Sequence, residues 1–124
     1  MKTSKDYLEE ANKVVKKIEM NDALEKHKNN SAIFIDVRDS SDIAETGTIT
    51  GALKIQRGLI EFVADDSHGL HNKALKKDSE IILVCGAGGQ AALTGKTLVD
   101  MGYSNVSNVG AIGDWGNKGG PMTK

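Results

Sequence analysis

The chain contains one cysteine, Cys85, and the residues around it suit a reactive thiol. Cys85 ends the apolar run that begins at Ile81, and a short run of β-branched and apolar residues predicts a buried strand. The residues that follow are small or polar, and their glycines allow the backbone to turn tightly. The predicted binding loop consists of Gly86, Ala87, Gly88, Gly89 and Gln90.

A helix is predicted to begin at Gln90 and to end at Met101, with Gly102 as its C-terminal cap. Cys85 should therefore lie in a strand–loop–helix turn, where it faces backbone N–H groups and the N-terminus of a helix. Both features stabilise a negatively charged sulfur, which is the nucleophilic form of a cysteine. The pattern predicts that Cys85 is a nucleophile.

Three other interpretations of this turn are open. A lone cysteine is often an inert buried residue, although packing alone does not require the glycines. Residues 86–91 match G-x-G-x-x-A, a dinucleotide motif, but they lie late in the chain and the next strand, Asn105–Val109, carries no acid to hold a ribose. Gly95, Lys96 and Thr97 match the end of a phosphate-binding loop, but they fall in the middle of the predicted helix.

Composition narrows the class of protein. The chain has 124 residues, 39% of them hydrophobic, so one domain with a real core is expected. A single cysteine excludes an internal disulfide framework, and the charged N-terminus has no signal-peptide pattern, so we expect a cytoplasmic protein. The formal net charge of −1 and the scattered lysines argue against a nucleic acid as partner. No apolar stretch is long enough to span a membrane. No metal site is expected, because His68 and His71 lie in a polar segment typical of a solvated loop.

Hydrophobic periodicity predicts alternating strands and helices. Thr3 and Asp6 form a capping-box pattern ahead of an N-terminal helix. A short edge strand is predicted at residues 18–20, and buried strands are predicted at residues 32–37, 81–85 and 105–109. This alternation favours an α/β fold with a mainly parallel central sheet and helices on both faces.

Several segments, in order along the chain, resemble the rhodanese-like domain family. Asp36-Val37-Arg38 followed by Asp42 resembles its D-V-R-x-x-x-[ED] segment, and residues 47–52 resemble G-H-I-P-G-A. Residues 57–62 resemble the R-G-x-x-E-F of one branch, residues 85–92 the active-site loop, and residues 110–115 the closing G-G-x-x-x-W. Residues 1–17 look like an N-terminal helical extension, and 18–124 like the rhodanese-like domain.

The resemblance implies a three-layer fold and sulfurtransferase chemistry without a cofactor. Cys85 would take sulfane sulfur from a small donor, hold it as a persulfide, and pass it to a thiol or another thiophilic acceptor, which includes a protein acceptor. Backbone N–H groups can hold a persulfide anion without a charged side chain.

The chain departs from the family at Gln90 and Ala91, where active members commonly have Arg and Ser. An arginine binds an anionic donor such as thiosulfate through two hydrogen bonds, and Gln90 has no charge to offer. Arg57 is a candidate for the missing charge, and a surface ion pair with Glu61 is its alternative role. Asp36 and Arg38 are candidates for supporting the site, with Arg38 expected to pair with Asp42.

The same departure bears on two other possible functions, a cysteine phosphatase and a non-catalytic module. Cysteine phosphatases close a phosphate loop with an arginine, and no arginine follows Cys85, which speaks against that chemistry. The alternative to sulfur transfer is a catalytically weak or inactive module that keeps the fold for protein binding or regulation. Cys85 favours chemistry, whereas Gln90 and Ala91 favour the module.

Overall fold

A five-stranded parallel sheet organises the molecule, whose computed structural model describes all residues 1–124. The order of its strands is β1-β6-β5-β2-β4, and a separate antiparallel pair joins β3 to β7. The strands are β1 (Lys16–Lys17), β2 (Ile33–Asp36), β3 (Thr48–Ile49), β4 (Leu53–Lys54), β5 (Glu80–Cys85), β6 (Asn105–Ala111) and β7 (Met122–Thr123).

Helices follow most of the strands, as crossover connections between parallel strands require. They are α1 (Ser4–Val14), α2 (Met20–Lys28), α3 (Ser40–Thr46), α4 (Ile60–Val63), α5 (Gly89–Asp100) and α6 (Ile112–Asn117), with a 3-10 turn at Arg57–Leu59. The longest, α5, begins one residue earlier than predicted and ends before Gly102, whose φ of 99° fits the predicted C-terminal cap. No helix combines the length and the apolar composition that crossing a bilayer requires.

Side chains alternate across the central strands and build one core on each face of the sheet. On one face, Ile81, Leu83 and Cys85 of β5 pack with residues of α4 and α5. On the other face, Ile82 and Val84 pack with α2, α6 and Ile49 of β3. The predicted three-layer arrangement, with a mainly parallel sheet and helices on both faces, is confirmed.

The N-terminal segment is attached to the sheet and to α5. The Thr3–Asp6 capping box is present: the Asp6 N–H donates to Thr3 Oγ1 and the Thr3 N–H donates to Asp6 Oδ2. Further along α5, a Cβ atom at Gly95 would lie 2.8 Å from both Cγ atoms of Val15. Only a glycine at position 95 allows this close approach between the two segments.

The predicted edge strand at residues 18–20 is two residues too late. The strand is Lys16–Lys17, which pairs with Ser107 and Asn108 of β6, and residues Met20 onward belong to α2. Its two side chains are exposed lysines, so β1 has no apolar signal of its own. Pairing with β6 therefore defines this strand.

Candidate active site

The loop after β5 turns sharply between Cys85 and α5. Gly88 lies immediately before the helix with φ of 101° and ψ of −19°, a left-handed conformation that side chains rarely adopt. This conformation directs the Gly88 N–H back toward the end of β5. Glycine at position 88 is thus a requirement of the loop geometry.

Two backbone amides donate to the sulfur of Cys85. The Gly88 N–H lies 2.9 Å and the Ala91 N–H 3.4 Å from Sγ. Ala91 belongs to the first turn of α5, whose aligned peptide dipoles place partial positive charge at this end. The Sγ atom therefore lies where an anion is stabilised by backbone groups.

The loop covers the sulfur. Cys85 is only 1% exposed, whereas Gly86, Ala87 and Gln90 are exposed and Gly89 is partly buried. Of the five residues predicted to form the loop, Gly88 alone donates to Sγ, and the second donor, Ala91, was not predicted.

Two cavities flank the loop at Gly88 and Gly89, and Cys85 lines neither of them. The larger, of about 700 Å³, lies between α1, the segment 17–20, the loop and β6. The smaller, of about 480 Å³, lies between the start of α1, Arg57 and α5. Access to Cys85 Sγ from either side thus depends on the conformation of the loop.

Asp36 and Arg38 form a buried ion pair instead of facing the loop. Arg38 Nη2 lies 2.8 Å from Asp36 Oδ2, and the two residues are 5% and 0% exposed. Arg38 also donates to Thr46 Oγ1 and the Gly47 carbonyl, and Thr48 Oγ1 donates to Asp36. The predicted Arg38–Asp42 pair is therefore wrong, because Asp36, Thr46 and Gly47 occupy the guanidinium.

The strand alternation explains why this pair lies apart from the sulfur. Asp36 pairs in register with Val84, whose side chain lies on the face of the sheet opposite that of Cys85. Asp36 and Arg38 anchor segment 46–48 to the end of β2. They lie at the same end of the sheet as Cys85, since Asp36 pairs with Val84.

Arg57 makes the ion pair that was predicted as its alternative role. Its Nη1 lies 3.1 Å from Glu61 Oε1, and its Nη2 donates to Thr97 Oγ1 of α5 at 3.2 Å. Arg57 also lines the smaller cavity together with Gly89 and two lysines, Lys2 and Lys96. A positive charge is therefore present beside the loop, although its hydrogen bonds go to Glu61 and Thr97.

Asn108 of β6 contacts the loop and was not predicted. It is 8% exposed, and its Nδ2 donates to the Gly88 carbonyl at 3.0 Å. The sequence gives no clear signal for it, because β6 also contains the polar residues Asn105 and Ser107.

His68 and His71 contact backbone groups of residues nearby in the sequence. His68 Nδ1 accepts the Leu70 N–H, and His71 Nδ1 lies 3.0 Å from the Val63 carbonyl. No three His, Cys, Asp or Glu side chains form a cluster that could hold a metal ion.

Solved structures of similar proteins share this fold. A solved structure of a protein of unknown function from Rhodopseudomonas palustris, described as a possible tyrosine phosphatase, is 30% identical, with a TM-score of 0.93 over 99% of this chain and 96% of that one. A polysulfide-sulfur transferase homodimer from Wolinella succinogenes is 24% identical, with a TM-score of 0.75 over 96% of this chain and 85% of that one. A human single-domain sulfurtransferase is 21% identical, with a TM-score of 0.71 over 82% of this chain and 96% of that one.

No curated protein sequence matches the chain. The sequence model of the rhodanese-like domain family, however, matches residues 19–118, which include the whole central sheet except β1. The match covers both the cysteine loop and the closing segment before Trp115. This chain belongs to the rhodanese-like domain family.

Proposed function

We propose that this protein is a sulfurtransferase or persulfide carrier whose nucleophile is Cys85. The observation that carries the proposal is that two amides, Gly88 N–H and Ala91 N–H, both donate to Cys85 Sγ. Preorganised N–H groups stabilise an anion at this position without reorganisation during the reaction. The two solved sulfurtransferase structures named above share the fold, which is consistent with this chemistry.

The reaction has two displacement steps and needs no external oxidant. The Cys85 thiolate attacks the outer sulfur of a donor such as thiosulfate or a polysulfide, the donor's S–S bond breaks, and the leaving sulfite or shortened polysulfide takes the electron pair. The Cys85 persulfide then carries the negative charge on its outer sulfur. An acceptor thiolate attacks that sulfur, and the Cys85 thiolate leaves.

The proposal requires movement of the loop. Since Cys85 is only 1% exposed, a donor reaches Sγ only when residues 86–90 shift outward. Gly86 and Ala87 are exposed, and a Cβ atom at Gly86 would have no atom within 4 Å, so this half of the loop has room to move. Motion of this kind is common in loops that cover active sites.

Phosphatase chemistry, suggested in the description of the Rhodopseudomonas protein, has less support in this chain. The chain has two arginines, and both precede Cys85. Arg38 is paired with buried Asp36, and Arg57 is paired with Glu61 and Thr97. Neither donates into the loop, where a phosphate would need a bidentate partner.

A non-catalytic binding module is the second candidate. The observations that favour it are the covered sulfur of Cys85 and the neutral, exposed side chain of Gln90. In this alternative, the loop is a rigid part of the fold and Cys85 is an inert core residue.

Intact-mass spectrometry of the reduced, folded protein separates these candidates. After exposure to thiosulfate, a polysulfide or another sulfane donor, we expect one added sulfur atom in the wild type and none in Cys85→Ser. The adduct should disappear when a small thiol is added. An aryl phosphate ester should not be hydrolysed by either protein.

The sulfur-transfer proposal fails if no donor gives the adduct on the folded protein while the denatured protein reacts. That result would favour the binding module. Hydrolysis of the phosphate ester by the wild type, lost in Cys85→Ser, would instead support the phosphatase alternative.

A further inference from the structure

Asn108 occupies a distorted position in β6, beside the loop. Leu83 of β5 pairs with Asn108, but the next residue, Val84, pairs with Gly110, so Val109 is an extra residue in the strand. Such bulges bend a strand and redirect its side chains. The distortion lies at the end of the sheet where Cys85 also lies.

The hydrogen bonds of the Asn108 amide determine its orientation. Oδ1 accepts the Gly110 N–H at 2.8 Å, and Nδ2 donates to the Gly88 carbonyl at 3.0 Å. A backbone N–H can only donate and a carbonyl can only accept, so the opposite orientation of the amide would break both bonds. Asn108 thereby closes the bulge with one atom and holds the loop with the other.

Gly88 links Asn108 to the sulfur. Its carbonyl accepts from Asn108 Nδ2 and from the Ala92 N–H, while its own N–H donates to Cys85 Sγ at 2.9 Å. Both peptide groups that flank Gly88 are therefore fixed, one by β6 and α5 and the other by the sulfur. Glycine has the widest range of backbone conformations, so its left-handed state here depends on these contacts.

We propose that Asn108 is a positioning residue for the sulfur site. Its side-chain amide holds the Gly88 carbonyl, and this contact keeps the Gly88 N–H directed at Cys85 Sγ. The link between Asn108 and Gly88 is independent of the sulfur chemistry, whereas its consequence for a persulfide rests on the proposed function.

Two variants test the donor atom. Asn108→Asp keeps an acceptor for the Gly110 N–H but removes the Nδ2 donor, and Asn108→Ala removes both contacts. Asn105→Asp is the matched control, because it makes the same substitution in the same strand at a residue that contacts Lys16 instead of the loop. If Asn108→Ala does not fold, Asn108→Asp alone decides.

The readout is amide hydrogen exchange of Gly88 by NMR. Losing one hydrogen bond should raise the exchange rate at Gly88 about fivefold in both Asn108 variants. In Asn105→Asp the rate at Gly88 should not change. Unchanged exchange at Gly88 in the Asn108 variants, or an equal increase in Asn105→Asp, would overturn the proposal.

A second measurement follows the persulfide. In protein loaded with sulfur, the Asn108 variants should lose it to a small thiol about fivefold faster than the wild type and Asn105→Asp. Equal rates would overturn the functional part of the inference. If the wild type forms no persulfide, the proposed function fails, while hydrogen exchange still decides whether Asn108 holds the loop.

Discussion

Backbone groups supply the hydrogen bonds at the sulfur of Cys85. The donors are the amides of Gly88 and Ala91, and neither depends on the identity of its side chain except through the left-handed φ of Gly88. The loop can therefore change its exposed side chain at position 90 and keep the contacts with Sγ. Substitution there should affect the choice of donor more than the ability to carry sulfur.

Gln90→Arg should improve turnover of thiosulfate. A dianionic donor is repelled by the thiolate that it must approach, and an arginine on the exposed side of the loop would offset that repulsion. Because position 90 is exposed, we take the low end of a charge-assisted hydrogen bond, which corresponds to about a tenfold rise in kcat/KM. The measurement is kcat/KM for thiosulfate and for an uncharged sulfane donor, with the gain confined to thiosulfate.

Asn29→Arg is the control for that experiment. It adds the same charge at an exposed position after α2, at the opposite end of the sheet from Cys85. A gain with this control, or an equal gain for both donors in Gln90→Arg, would contradict the explanation. An absent gain in folded Gln90→Arg would indicate that Arg57 or the backbone already meets the need.

Residue types predicted the turn around Cys85 but not all of the groups that contact its sulfur. Cys85 and the turn at Gly88 follow from a strand, glycines and a helix that are adjacent in sequence. Ala91 and Asn108 could not be identified in this way, since an amide needs no particular side chain and Asn108 reaches the loop from a strand 20 residues away. Arg38 was predicted to pair with Asp42, whereas the fold brings it to Asp36, Thr46 and Gly47.

At the scale of the elements, the packing of the N-terminal segment on α5 fixes the position of the helix that begins at the loop. Leu8 lies near Gly89 at the start of α5, and Val15 lies against Gly95 further along the same helix. The two contacts hold α5 from outside, while its Ala91 and Leu98 face the core. The position of the Ala91 amide thus depends partly on residues before the family match.

Gly95→Ala should destabilise the protein, although alanine is the better helix former. The added Cβ would lie 2.8 Å from Val15, and overpacking of this kind costs about 1–3 kcal/mol in the free energy of unfolding. Urea unfolding of the single variants and of the Val15→Ala, Gly95→Ala double variant measures the coupling between the two sites. In the Val15→Ala background, Gly95→Ala should be neutral or stabilising.

Gly116→Ala in α6 is the matched control, since a Cβ there would meet no atom within 4 Å. It should stabilise the protein slightly through helix propensity. A similar loss of stability at both glycines, or a loss at Gly95 that persists without Val15, would show that contact with Val15 is not the cause.

Strands with buried apolar side chains were predicted well, and strands made by pairing alone were not. The apolar runs in β2 and β5 are visible in the sequence because both faces of these strands are covered. β1, β3 and β7 have two residues each, and no strand was predicted at β3 or β7. The pairing of β7 with Thr48 and Ile49 depends on tertiary contacts that the local sequence does not encode.

At the scale of the whole molecule, Tyr103 links α5 and the loop after α4 to the core. It is 2% exposed, and its hydroxyl donates to the Ala64 carbonyl at 2.8 Å. Burial raises the pKa of the Tyr103 hydroxyl above 10.0, and the carboxylates of Asp66 and Asp65 raise it further. The folded state therefore favours the neutral phenol.

Because of this raised pKa, the free energy of unfolding should fall at alkaline pH. A group whose pKa is raised by folding contributes stability that is complete below its unfolded pKa, about 10, and is lost as pH rises through the folded value. Tyr103→Phe should lower the free energy of unfolding at pH 7 by about 1 kcal/mol, because one hydrogen bond is lost. Above pH 10 the free energy of unfolding of Tyr103→Phe should decline less steeply than that of the wild type.

Denaturant unfolding between pH 7 and pH 11 measures both effects. Tyr7→Phe, at the 51% exposed tyrosine of α1, is the control and should follow the wild type throughout. Identical alkaline slopes for the wild type and Tyr103→Phe would contradict the assignment of this alkaline decline to Tyr103.

The order of strands has a consequence for synthesis on the ribosome. The strand β1 pairs with β6, whose residues Asn105–Ala111 are made after every other strand of the central sheet. Until then, Lys16 and Lys17 have no partner strand, and Gly88 lacks its contact with Asn108. The nascent chain therefore contains Cys85 and its loop before it contains Asn108, which contacts that loop.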